Sequence, residues 1–182
     1  GREAIFDRSV RVANTDFLPG ESALRFYTDF AKPQVAAYSW NDDQPNSLDA
    51  FASGKTAIIF EYSVNIPQIK QKAPNLCYGV APMPQIVGAS RAVNYADFWG
   101  YAVPLASKNP DAAWKFLAYL ASYDINKYFG AAVSRPASRR DVIAEEISAP
   151  ELGVFAQSML SATNWYRVDP SEVERIFKEM IN

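Results

Sequence analysis

Five short stretches of this chain set flat aromatic rings beside amides, hydroxyls or carboxylates: Trp40-Asn41-Asp42, Tyr62-Ser63, Asn94-Tyr95, Asp97 with Trp99, and Trp165-Tyr166. Rings of this kind stack on the C–H faces of a sugar while planar amides and carboxylates pair its hydroxyls, and a buried polar ligand needs every such group satisfied. The same residue types suit glycosidic cleavage, for which Asp42 and Asp97 are the candidate acids, but that chemistry needs two carboxylates at about 5–5.5 or 6.5–9.5 Å. Nothing in the spacing requires it. Each residue also has a plainer account. Trp99 and Tyr101 flank a strand and suit alternation into a core. Trp40 suits an anchor for its own loop, and Trp165 a hydrophobic staple for the helix that follows it.

The composition removes other chemistries. With no histidine among 182 residues, Ser-His-Asp and Cys-His catalysis, His-ligated metals and a histidine pH switch all drop out. Ferric-ion capture by tyrosines is weakened by the same absence and by the lack of adjacent tyrosines. The single cysteine, Cys77, forms no internal disulfide or metal cluster, and in an apolar strand-like run it reads as a buried thiol. No catalytic residue, metal or cofactor is therefore assigned. A net charge of −2 with scattered Lys and Arg leaves no footprint for nucleic acid or an acidic membrane. At 49% hydrophobic and 14% aromatic the chain is globular. It contains neither a run of about 18 apolar residues nor a secretory segment, and because it begins with Gly1 it is read as a processed or truncated piece.

The elements that must position these residues follow from turn and periodicity signals. Pro19-Gly20 breaks the chain before a helix from Glu21, with Leu24, Tyr27 and Ala31 on one face, which Lys32-Pro33 stops. Ser47 caps a short helix over 48–53, and Gly54 is placed to end it in the left-handed conformation. Residues 57–62 read as a buried strand, Ser63 caps a helix running to Lys72, residues 76–80 form a second strand, residues 85–92 a hairpin or loop around Gly88, and residues 101–104 a third strand. The alternation favours α/β layering. Asn109-Pro110-Asp111 is a strong helix start, and Ala113, Phe116, Leu117 and Leu120 then share a stripe that Trp114 and Ala121 widen. That face is too apolar to stand in water. Helices follow over 124–129, over 139–147 with Ser138 as cap, and from Pro150 to Ser161. The last helix has Asp169 as N-cap, Pro170 at its first position and Glu172 in a capping-box arrangement.

Taken in order, five local patterns carry a resemblance. They are residues 46–60, Asn-Ser-Leu-Asp-Ala-Phe-Ala-Ser-Gly-Lys-Thr-Ala-Ile-Ile-Phe; residues 62–67, with the strand into Gly79-Val80-Ala81-Pro82-Met83-Pro84; Trp99-Gly100-Tyr101-Ala102-Val103-Pro104 feeding Asn109 to Leu117; residues 130–136 with Asp141-Val142; and residues 164–173, Asn-Trp-Tyr-Arg-Val-Asp-Pro-Ser-Glu-Val. This order resembles the C-terminal half of extracellular solute-binding protein family 1, the sugar-binding ABC importer proteins similar to maltose-binding protein, over about residues 20–182.

The resemblance implies a periplasmic-binding-protein-like II α/β fold, here a C-terminal lobe plus a fragment of the N-terminal lobe. Residues 1–98 would form the main part of the C-terminal lobe, 99–145 a crossover segment of the N-terminal lobe, and 146–182 helices returning to the C-terminal lobe. It further implies non-catalytic capture of a solute, a carbohydrate in this family, for an ABC permease, outside the cell or in the periplasm, by a membrane-tethered lipoprotein precursor. The rival is a carbohydrate-acting hydrolase or an accessory carbohydrate-binding module. By residue type the expected ligand-binding residues are Trp40, Asp42, Tyr62, Ser63, Asn94, Tyr95, Asp97, Trp99, Trp165 and Tyr166, and by motif position the resemblance implies that the loop after Phe60, the approach to Gly100 and the Trp165 loop line the cleft. Glu61 departs from the small residue usual at that turn, which puts a narrow stacking geometry in doubt. The crossover near Val93 and Tyr101 should flex on closure, a lone lobe should bind weakly or not at all, and the apolar face of 110–121 should be covered by another copy, by repacking or by a separate chain.

Overall fold

Proline stands at the first position of three helices, where its missing N–H costs nothing and its fixed φ suits the helix. In the computed structural model, which describes residues 10–12, 15–89, 91–164 and 167–181, these are α1 (Pro19–Asp29), α4 (Pro110–Leu120) and α8 (Pro170–Ile181). The full order is β1 (Val10–Val12), β2 (Thr15–Phe17), α1, α2 (Ser47–Ala52), a 3-10 turn (Ser63–Asn65), α3 (Ile66–Lys72), β3 (Asn94–Tyr95), α4, α5 (Tyr123–Ala132), α6 (Arg140–Glu146), α7 (Leu152–Met159), β4 (Ala162–Thr163) and α8. Pro19-Gly20 thus opens α1 instead of breaking the chain before it.

The chain divides into two compact units, residues 1–46 with 166–182, and residues 47–165. In the first, β1 and β2 pair antiparallel with Val10 opposite Phe17, and Phe26 meets Phe30 edge-on at 5.0 Å between ring centroids. Asp169 caps α8 as its position demands, its Oδ1 accepting the N–H groups of Ser171 and Glu172. The capping box stays half made, because the Glu172 carboxylate takes Arg175.

The second unit holds the buried core. One group lies on α2 and α3, where Leu48, Ala50, Ile66 and Ile69 are buried and Lys72 pairs with Asp49. The other joins Ala137, Val142 and Ile143 to Ala156 of α7, with Tyr123 and Met159 against them. Val142, at 0% exposure, is the largest fully buried side chain among the described residues. A core that thin lets α6 and α7 approach closely. Gly153 makes the approach possible, since a Cβ there would stand 2.3 Å from the Ile147 carbonyl oxygen. Gly54 ends α2 at φ +72°, the left-handed conformation expected of it.

Three expected strands form no ladder. Residues 58–62, 76–80 and 101–104 run without regular pairing, and the only pairings among the described residues are β1 with β2 and β3 with β4. Residues 57–62 are not buried either: Ile58 is 75% exposed, and Phe60 and Tyr62 are also exposed. Between Leu76 and Val80, burial alternates residue by residue, the signature of a strand with one face covered. Cys77 falls on the open face and is exposed, contrary to its expected burial. Backbone conformation and facial alternation are local properties; a ladder needs a neighbouring strand.

The helix over 110–120 forms as expected, though the Asn109 side chain makes no cap. Ser107 Oγ instead accepts the Asn109 N–H. Ala113, Leu117 and Leu120 are half-buried on a helix that packs against α5. Trp114, Phe116 and Tyr119 each remain 58% exposed, so most of the aromatic face is uncovered.

Candidate functional site

The parallel bridge of β3 with β4, Asn94 opposite Ala162 and Tyr95 opposite Thr163, is continued by the Ala96 N–H donating to the Thr163 carbonyl at 3.3 Å. It brings the 94–99 stretch against the segment leading to residue 164. Beside it opens a cavity of about 290 Å³ lined by Ala96, Phe98, Met159, Ala162, Thr163 and Asn164. The even-numbered residues Ala96 and Phe98 face it. Of the odd-numbered candidates, Tyr95 and Asp97 are exposed and Trp99 is 86% exposed, and none of them lines it.

Period-two alternation explains this division. Asn94 shares the parity of Ala96 and Phe98, and its Nδ2 donates to Ser161 Oγ at 3.3 Å, tying the two segments at the cavity's edge. Phe98, Thr163 and Asn164 escaped sequence reasoning. For Phe98 the signal was parity with Asn94, and for Asn164 its place at the head of the Trp165-Tyr166 stretch; Thr163 carried none. Trp165 and Tyr166 themselves lie outside the described residues.

The other candidates sit elsewhere. Trp40 and Asp42 belong to the first compact unit. Trp40 Nε1 donates to the Pro45 carbonyl at 3.1 Å, so the ring bridges its own loop; Asp42 is exposed. Tyr62 is exposed and Ser63, at 6%, is buried at the start of the 3-10 turn. Glu61, which departed from a small residue, has a structural task. Its carboxylate accepts the Tyr62 N–H at 3.0 Å and Asn65 Nδ2 at 2.6 Å, fastening that turn. Arg139 grips Asp141 and the Ala121 carbonyl, a structural use. Among the described residues no group of three or more His, Cys, Asp or Glu could hold a metal.

A second cavity of about 350 Å³ is lined by Ile66, Pro67, Lys70, Ala131, Ser134, Glu151 and Leu152. Its two charged groups already engage one another. Glu151 accepts from Lys70 Nζ at 2.6 Å and from the Tyr78 hydroxyl at 2.7 Å, while the Tyr78 ring packs edge-on against Phe51. Lys70, then Tyr78, holds the Glu151 carboxyl below its ordinary pKa. Burial first, then the bond to Glu151, pushes the Tyr78 phenol up to about 12. This cluster fastens α3, the 76–80 segment and α7 together.

A pH dependence follows. A depressed carboxyl pKa contributes stability above the unfolded value and loses it as pH falls through the folded one; a raised phenol contributes below about 10 and loses it as pH climbs toward 12. Urea midpoints should therefore fall at both ends. Glu151→Gln should flatten the acid limb, and Tyr78→Phe should shrink the alkaline loss. An unchanged alkaline limb in Tyr78→Phe would contradict the assignment.

An open cavity whose lining residues include Phe98, Thr163 and Asn164 fits a class of proteins that hold a small solute. The chain belongs to the bacterial extracellular solute-binding protein family, whose family model matches residues 7–153. No curated protein matches the chain. Membership carries capture of a solute for transport, a generally non-enzymatic activity, and an extracellular or periplasmic place of work. Among the described residues no helix is long and apolar enough to cross a membrane.

Proposed function

We propose that this chain captures a carbohydrate for an ABC importer, as the C-terminal part of a two-lobed, membrane-tethered receptor whose closed form docks on a permease. The observation that carries the sugar reading is the cavity beside β3 and β4, which Phe98, Thr163 and Asn164 help to line. A pyranose offers an apolar C–H face to a ring and hydroxyls to an amide. Residues 1–98 and 146–182 are assigned to the C-terminal lobe and 99–145 to the N-terminal lobe. The unpaired segment 101–104 and the exposed rings of Trp114, Phe116 and Tyr119 support this division, because a strand and an apolar face of that kind are covered by a sheet from the rest of such a receptor. Leaving several large side chains in water forgoes about 1.5–3 kcal/mol each.

The test is a thermal-shift screen of mono- and disaccharides, amino acids and dicarboxylates on the two-lobed protein. A solute that binds only the folded state raises the melting temperature by mass action. Sugars alone should do so. A shift confined to amino acids or dicarboxylates would replace the carbohydrate reading, and turnover of chromogenic glycosides that disappears in Asp97→Asn would replace it with the hydrolase.

A further inference from the structure

Gln85 makes three hydrogen bonds with one side chain. Its Oε1 accepts the Val93 N–H at 2.8 Å, and its Nε2 donates to the Val93 carbonyl at 3.2 Å and to the Met83 carbonyl at 3.0 Å. A carboxamide carries the same donor and acceptor as a peptide group. By bonding both the N–H and the C=O of one residue, Gln85 reproduces a single hydrogen-bonded pair of an antiparallel ladder. The intervening loop is closed at its far end by a turn in which the Ala89 N–H donates to the Ile86 carbonyl, with Gly88 at φ +78°.

From Val93 onward the chain is held continuously for a short distance. Asn94 and Tyr95 pair with β4, Asn94 bonds Ser161, and the Ala96 N–H reaches Thr163. Among the described residues, none of 99–103 has a backbone partner, and of these all but Val103 are exposed. We infer that Gln85 is a positioning residue that pins Val93, so that Val93 is not one of the hinges of the crossover. The mechanical meaning rests on the two-lobed reading above. The pinning itself is a property of this chain and is read without any solute, so the two ideas fail separately.

Amide hydrogen exchange on the 182-residue chain tests it, with rates normalised to intrinsic exchange and the buried Ala156 amide as reference for global opening. In Gln85→Met, protection at Val93 should fall about fivefold or more, the yield of one ordinary hydrogen bond, while Ala156 is unchanged. Gln85→Glu keeps the acceptor but turns a carboxylate on two carbonyls. Its Val93 protection should be low at about pH 7 and recover toward about pH 3.5, as the side chain passes the ordinary glutamate pKa of about 4.3 and regains a donor. Unchanged Val93 protection in Gln85→Met, or an equal loss at Ala156, overturns the pinning.

Discussion

Gly153→Ala is expected to lower the stability of the 47–165 unit by about 3 kcal/mol, at the upper end of the usual cost of overpacking. A Cβ at this position would lie 2.3 Å from the Ile147 oxygen, 2.9 Å from its carbonyl carbon and 3.2 Å from the Glu146 oxygen. All three are backbone atoms, so no side-chain rotation relieves the overlap and α7 must back away from α6. That separation falls on the core, because Ala156 of α7 packs with Val142 and Ile143 of α6. With a valine as the largest fully buried side chain, little packing elsewhere compensates. Urea denaturation followed by tryptophan fluorescence measures the loss. Gly79→Ala is the control, since nothing lies within 4 Å of a Cβ there; it should cause no loss. Equal midpoints for the two variants would show that the approach of α7 to the 146–147 backbone relaxes freely.

The parts of this fold legible in the sequence are those fixed by neighbours within a helical turn. Pro110 and Asp169-Pro170 announce α4 and α8, and Gly54 announces its left-handed turn, because capping and φ preference are properties of the residue and its immediate partners. Glu172 shows the limit even there: Arg175 competed for its carboxylate and won, since a charge-assisted bond outweighs one to a neutral amide. Residues 57–62 and 76–80 show a different limit. Their β-branched and aromatic content encodes extended backbone and, for 76–80, the alternation that leaves Cys77 outside. It does not encode which strand lies alongside.

The candidate site repeats the lesson. Asn94 was found from its type, but choosing between Tyr95, Asp97 and Trp99 on one side and Ala96 and Phe98 on the other required knowing which face of the stretch met β4. Residue type favoured the odd positions, and the cavity lining fell on the even ones. Trp40 was ambiguous until its ring nitrogen was seen to close its own loop on Pro45. The Glu61 carboxylate looked like an obstacle to a ligand until its bonds to Tyr62 and Asn65 gave it a structural purpose.

On the carbohydrate reading proposed above, Phe98→Ala is expected to weaken sugar binding by the two-lobed receptor about 10- to 100-fold, with folding stability nearly unchanged. The ring is exposed in this chain yet lines the cavity with Thr163 and Asn164, so its apolar face is available to a ligand and contributes little to the core. Stacking on an aromatic ring adds about 0.5–1.5 kcal/mol beyond area burial, and the area of a large apolar side chain contributes about 1.5–3 kcal/mol when fully covered. A tenfold change in affinity is about 1.4 kcal/mol, so partial covering plus stacking spans the stated range. Asn164→Ala removes a donor and acceptor from the same rim and leaves a sugar hydroxyl unpaired in a closed cleft, a loss of about 1–3 kcal/mol. Trp99→Ala should cost less than either if solute enters this cavity, because Trp99 is not among its lining residues. Calorimetric titration of the three variants with the best sugar from the thermal-shift screen reads the order directly. If Trp99→Ala proves the most damaging, the solute stacks on the odd-numbered face of the 94–99 stretch and the cavity beside β4 is not where it is held.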